Sequence, residues 1–147
     1  MNDIAADILK ANSYCVLATV CKNGAPWAVP VHFVYDSQNI YWLSQDETVH
    51  SENIMRDGRV FFVIYDSHQS GAPGERGAVY ISTRAIKLSG DEAMMARDIY
   101  ADRYPDENER KLVEWSVYCA PIGVVNKAKS IAQMIYYYPG ATEESND

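Results

Sequence analysis

The stretch Ala18-Thr-Val-Cys-Lys-Asn-Gly-Ala-Pro-Trp-Ala-Val-Pro-Val-His-Phe33 decides how this chain folds. Tyr14 to Cys21 is a strand apolar on both faces, and Asn23-Gly24 after it is a pair that tight hairpins favour because both residues tolerate positive φ. A second strand therefore runs back antiparallel, from Trp27 to Tyr35. In it Trp27, Val29, Val31, Phe33 and Tyr35 alternate with Ala28, Pro30, His32 and Val34, giving one large apolar face and one small mixed face. Pro30 stands in the middle of this strand. Proline has no ladder donor and belongs at an edge, a bulge or a break in pairing, so something other than a neighbouring strand is expected beside it.

Outward from this hairpin the pattern continues in short strands. Asn2 or Asp3 can cap a short helix whose Ile4, Ile8 and Leu9 recur at helical spacing. Asp36 to Asn39 is a turn, Ile40 to Ser44 a third strand, and Asp46 can cap a helix through about Arg56 that ends before Gly58. Arg59 to Asp66 is a buried strand, and Ala78 to Leu88 is a long one. Between them Ser67 to Gly77, with three glycines and a proline, is a loop long enough to suggest a function. Ser89-Gly-Asp-Glu92 matches a capping box for a helix with Met94, Met95, Ile99 and Tyr100 as its apolar stripe. Pro105 suits the first turn of a further helix to about Trp115, and strands follow at Val117 to Val125 and about Ser130 to Tyr138. These short, mostly hairpin-connected strands with few helices predict a mainly β fold, an antiparallel barrel with peripheral helices. Residues 1–141 form one domain, and 142–147 are a polar acidic tail.

A length of 147 residues suits one core. Lys plus Arg number 13 against 20 Asp plus Glu, and a net charge of -7 repels phosphate backbones, so nucleic acid is not an expected partner. The aromatic residues are 11 Tyr against 3 Trp and 3 Phe, and Tyr, with an apolar body and a polar tip, suits ligand walls and interfaces as well as cores. Apolar runs are too short to cross a bilayer, and Met1-Asn2-Asp3-Ile4 does not open a secretory signal, so the expectation is a cytoplasmic protein. Cys15, Cys21 and Cys119 read as reduced core thiols. His32, His50 and His68 lack ligand spacing, so no metal site is expected. Gly71-x-x-Gly74-x-x-Gly77 fits neither a dinucleotide fingerprint nor a phosphate loop, and no motif singles out a catalytic residue.

The order strand, Gly24 turn, Pro30 strand, Ile40-Tyr-Trp-Leu-Ser44 strand, His50-Ser-Glu-Asn-Ile54 helix and Arg59-Val60 strand resembles the pyridoxamine 5'-phosphate oxidase-like FMN-binding split-barrel family. The resemblance implies a six-stranded antiparallel split β-barrel that forms a homodimer with FMN in a groove between the subunits. It implies main-chain groups of Val29, Pro30 and Val31 against the flavin ring. It implies Leu43 and Ser44 near the ribityl chain and phosphate, with His50, Ser51 and Asn53 just beyond. The sequence departs from the family where basic residues usually grip the phosphate: His50 stands at the position of a common lysine and Ala28 at that of an arginine, with Arg56 and Arg59 as alternative cations. Trp27, Trp42, Tyr80 and Trp115 are candidates to stack on a ring. The implied activity is hydride or electron transfer to a small substrate. Deazaflavin F420 or haem is the alternative ligand, and a cofactor-free binding or sensory dimer the alternative class.

Overall fold

A computed structural model describes residues 1–106 and 114–140. Helix α1 (Asp3–Ala11) is capped by Asn2, whose side chain accepts from the Ala5 N–H. Strand β1 (Tyr14–Val20) pairs antiparallel with β2 (Pro26–Tyr35), with Gly24 at φ +85° in the turn between them. Strand β3 (Asn39–Ser44) precedes helix α2 (Val49–Arg56), and β4 (Arg59–Ile64) follows. Strands β5 (Ala78–Arg84) and β6 (Ile86–Lys87) lead to helix α3 (Gly90–Arg103). Strands β7 (Ser116–Pro121), β8 (Val124–Val125) and β9 (Met134–Tyr138) complete the order.

The strands run β6-β7-β3-β2-β1-β4-β5-β9-β8 in one curled sheet. Two corners make it a split barrel. Strand β2 pairs with β1 from Pro26 to His32 but with β3 only at Phe33, Val34 and Tyr35. The second corner is Ala85, whose N–H donates to the Gly58 carbonyl at 2.8 Å, after which the chain leaves β4 and joins β7. Ala78 to Leu88 is therefore two strands rather than one. Val117 to Val125 is likewise interrupted at Gly123, where a Cβ would run into the Tyr138 carbonyl and φ is +82°. The described strands thus exceed six, two being short pieces cut off by these corners, and β5 with β9 is a parallel pair within the otherwise antiparallel order.

The interior takes Leu17, Phe33, Ile40, Trp42, Phe62, Ile64, Val79, Ile81 and Tyr118, with Ala5 and Leu9 of α1 closing one side. Burying side chains of this size is the main favourable term in folding. A second cluster lies outside the barrel, where Ala93, Ala96 and Tyr100 of α3 pack on Val34, Leu43, Val117 and Cys119. Small residues at helical spacing let α3 sit close to the sheet. Met94 and Met95, predicted to face the core, are instead 64% and 61% exposed, while Tyr100 is buried as expected. The Ser89 capping box is not made, since Ser89 is the N-cap without a side-chain bond. The helix predicted from Pro105 falls largely outside the described residues, as does the 142–147 tail.

Candidate functional site

Strand β2 is the element that opens the barrel. The Phe33 N–H donates to the Ser13 carbonyl at 3.1 Å, so by the alternation of an antiparallel ladder Val31, Val29 and Trp27 direct their main-chain groups to β1. Ala28, Pro30 and His32 direct theirs the other way. Among the described residues no strand pairs with that side at Ala28 or Pro30, and Pro30 occupies a position where a missing N–H costs no ladder bond there. Continuing the Phe33–Trp42 register would set Val31 opposite Ser44, but the two strands part before that point. A wedge therefore opens between the outer edge of β2 and the end of β3.

The structure distributes the eight predicted site residues unevenly around this wedge. Pro30 is exposed on the open edge, whereas Val31 is a core residue and Val29 packs against the core. Leu43 turns its side chain outward under α3. Ser44, His50, Ser51 and Asn53 do come together, at the barrel end that α2 covers. Ser44 Oγ lies 2.9 Å from His50 Nε2. Asn53, 4% exposed, donates to Thr19 Oγ1 at 2.9 Å and accepts from Arg56, which also reaches the Val20 carbonyl.

Sequence reasoning missed the rest of this polar cluster. Thr48, not Asp46, caps α2: its hydroxyl accepts from the Ser51 N–H and lies 2.7 Å from Ser51 Oγ. The spacing Thr48-x-x-Ser51 carries that signal. Asp46 is used elsewhere, accepting from Tyr118 at 2.6 Å and pairing with Lys87 at 2.8 Å. Tyr118 reads as an ordinary inward strand residue, and nothing in the sequence marks its phenol as the link between Asp46 and Ser51, which also hydrogen-bonds it. The result is a continuous run of polar groups from Asp46 through Tyr118, Ser51 and Thr48 to His50 and Ser44.

The charges of this cluster follow from burial and pairing. Burial lowers the His50 pKa, so the imidazole is held neutral. Burial first and the Asp46 carboxylate second push the Tyr118 phenol up to about 12. Hydrogen bonds from Lys87 and Tyr118 hold Asp46 at about 2. Arg59 is paired with Asp57 at 2.7 Å. The β2 edge at Ala28 and Pro30 offers main-chain groups of the kind a flat ring would meet, and Ser44 and His50 offer polar groups of the kind ribityl hydroxyls would meet. The phosphate fits less well, because Arg59 and Lys87 are ion-paired, Arg56 is taken up by Asn53 and the Val20 carbonyl, and Asp46, Glu47 and Glu52 add negative charge near α2.

Cys15, Cys21 and Cys119 are free thiols. Burial raises the pKa of Cys15, and burial with the nearby Glu92 and Asp36 charges raises that of Cys119 to about 11. Neither is poised as a nucleophile. Among the described residues no three His, Cys, Asp or Glu side chains gather as a metal site, and no helix is long and apolar enough to cross a membrane.

A barrel parted at β2 and β3, with an unpaired β2 edge and a polar end under α2, belongs to the split-barrel class. The pyridoxamine 5'-phosphate oxidase family model matches residues 1–117, and the chain belongs to that family. No curated protein matches it in sequence. Among solved structures it is similar to HutZ, the haem storage protein of Vibrio cholerae, at 14% identity over 81% of this chain and 87% of that one, TM-score 0.71. It is also similar to an FAD-binding protein of Mesorhizobium loti, at 19% identity over 80% and 84%, TM-score 0.62. An F420 reductase is 16% identical over 84% and 97%, TM-score 0.59. At such identities the likeness is one of fold.

Proposed function

We propose that this protein is an FMN-binding oxidoreductase of the split-barrel type that works as a homodimer, passing hydride or electrons to a small substrate. The observation that carries the reading is the outer β2 edge at Ala28 and Pro30, with which no strand pairs among the described residues. Bound there, FMN supplies the redox chemistry. The chain's own residues hold and orient: the Pro30 carbonyl and its neighbours meet the ring, while Ser44, His50 and the start of α2 meet the ribityl and phosphate end. Ser51 and Asn53 act one step back, fixing Thr48 and the β1 end.

The dimer is supported by the outer face of the sheet. Val16, Ala18, Phe61, Val63, Tyr80 and Tyr136 share that face by register, all half-buried, and no residue of either core cluster covers them. A contiguous apolar face of this kind marks an interaction surface. It also accounts for part of the Tyr excess. One absorbance spectrum of the purified protein, with size measurement in solution, tests the reading. Flavin bands on a dimer, or a melting temperature raised by added FMN, are expected. No flavin band and no FMN shift overturn it.

A second reading, haem, is favoured by one observation. His50 is held neutral beside few free cations, and a neutral imidazole suits iron better than it suits a phosphate dianion. The same spectrum separates the two, since haem gives a Soret band. A cofactor-free dimer, which the same scarcity of cations also favours, gives neither.

A further inference from the structure

The Ser67 to Gly77 loop, although rich in glycine, has a fixed base. The Gln69 side chain closes it with a two-way amide bond to Gly77, Nε2 to the Gly77 carbonyl at 3.1 Å and the Gly77 N–H to Oε1 at 2.7 Å. At its start the Asp66 carboxylate accepts from the His68 N–H at 2.8 Å. Gly77 lies close to α1: a Cβ there would come 3.1 Å from Ile8 Cδ1, and the Ile8 side chain would have to give by a few tenths of an ångström. The loop is thereby folded against β5 and β9, and a cavity of about 340 Å³ lies beneath it, away from the wedge.

The walls and rim of this cavity differ in kind. Val63, Tyr65, Tyr80 and Met134 make an apolar and aromatic wall. Tyr80 is held as a flat surface by stacking on Tyr136, with ring centroids 4.3 Å apart. Its hydroxyl turns to Met134 Sδ at 3.8 Å. Arg76 stands at the rim, and it has no carboxylate partner among the described residues. In a chain of net charge -7 it is a positive charge with no carboxylate counterpart among the described residues.

We propose that the cavity under the 67–77 loop binds a small aromatic monocarboxylate, with Arg76 on the carboxylate and Tyr65, Tyr80 and Met134 around the ring. The guanidinium fork matches a carboxylate in two parallel hydrogen bonds. The aromatic walls and thioether take a ring face and edge. The volume sits at the small end of ligand cavities and admits about one substituted ring. A single cation beside apolar walls balances one negative charge and leaves a dianion such as phosphate undercompensated. Val63 and Tyr80 are shared with the outer face proposed for the dimer, so the cavity borders that surface, but none of its residues belongs to the wedge and benzoate binding does not require FMN.

The test is titration of the whole protein with benzoate, followed by calorimetry and by amide NMR shifts, with benzamide as the neutral counterpart. Benzoate is expected to bind with Kd about 1 mM, in keeping with a ligand of about nine heavy atoms. It should shift the amides of Gly77, Ala78 and Met134. Benzamide and the Arg76→Gln variant should each weaken binding at least about tenfold, the loss of a charge-assisted pair. Arg84→Gln, at an exposed arginine that ends β5, should leave binding unchanged. Because Arg76 is exposed, a dispersed NMR spectrum will show that its variant folds. Benzoate binding the Arg76 variant as well as wild type, binding no tighter than benzamide, shifting amides of the wedge instead, or not saturating by about 10 mM would each overturn the proposal. None of these readouts uses flavin, so failure here and failure of the FMN reading are distinguishable.

Discussion

The two halves of β2 have the same alternation and opposite fates. From Phe33 to Tyr35 the strand pairs with β3, the Phe33 N–H still reaching the Ser13 carbonyl ahead of β1, and Phe33 and Val34 are fully buried. From Trp27 to His32 the described strand beside it is β1 alone, Pro30 and Ala28 are exposed, and Trp27 is 42% exposed. Periodicity is therefore enough to say which residues could face a core. Whether a core is there depends on where the neighbouring strand leaves, and β3, paired with β7 along its other edge throughout, stays with β2 only as far as Trp42. One half of the strand holds the barrel together, and the other half is free for a ligand.

Truncation should separate the halves most sharply. Phe33→Ala removes a side chain buried on all sides, stacked near Tyr35 and under the Arg103 guanidinium, and should cost about 3 to 5 kcal/mol. Trp27→Ala, despite removing a larger side chain from the same face, should cost less than about 1 kcal/mol in the isolated subunit, because the indole already meets solvent. Urea denaturation of both variants checks this. Equal losses would mean that the wedge half of β2 is as much a part of the core as the other half.

The next effect concerns charge at the open edge. Ala28 stands where the family resemblance expects an arginine, and its exposed side chain has room for one. Ala28→Arg should leave stability nearly unchanged and tighten FMN binding about tenfold, the worth of one added charge-assisted hydrogen bond. Quenching of flavin fluorescence measures it. An unchanged affinity would mean that the phosphate does not approach this strand.

What could be read in the sequence divides along the same line. The hairpin at Gly24, the odd Pro30 and the buried β4 followed from local chemistry, while Ser44, His50, Ser51 and Asn53 came from the family resemblance, and the structure joins Ser44, His50 and Ser51 through Thr48 and turns Asn53 to Thr19. The corners did not. Ala85 looks like any residue of a continuous strand, and only the Gly58 carbonyl across from it shows where the chain changes partners. Leu43 alternates correctly, yet its face belongs to α3, an element some fifty residues away whose exposed Met94 and Met95 misstate its apolar side. The phenol of Tyr118 was invisible for a related reason: a strand position tells the direction of a side chain and nothing about the carboxylate at its tip.

The smallest effect probes the polar end through His50. Burial places its folded-state pKa below the unfolded value of about 6.5, so the unfolded chain binds the proton more readily. The contribution of neutral His50 is then fully present above that value and is lost as pH falls through it toward the folded pKa. Melting temperature should decline across this interval, and His50→Gln, which keeps a partner for Ser44, should flatten the decline. The Asp46 and Asp57 carboxylates, both held at about 2, act in a separate window, their contribution being lost as pH falls from about 4 toward 2. A bound phosphate beside His50 would favour the imidazolium and raise its pKa, opposing burial. Saturating FMN should therefore weaken the His50-dependent slope if the phosphate end of the cofactor lies there. A slope unaltered by FMN, with FMN demonstrably bound, would detach the phosphate from His50 and leave the β2 edge as the part of the wedge that holds the ring.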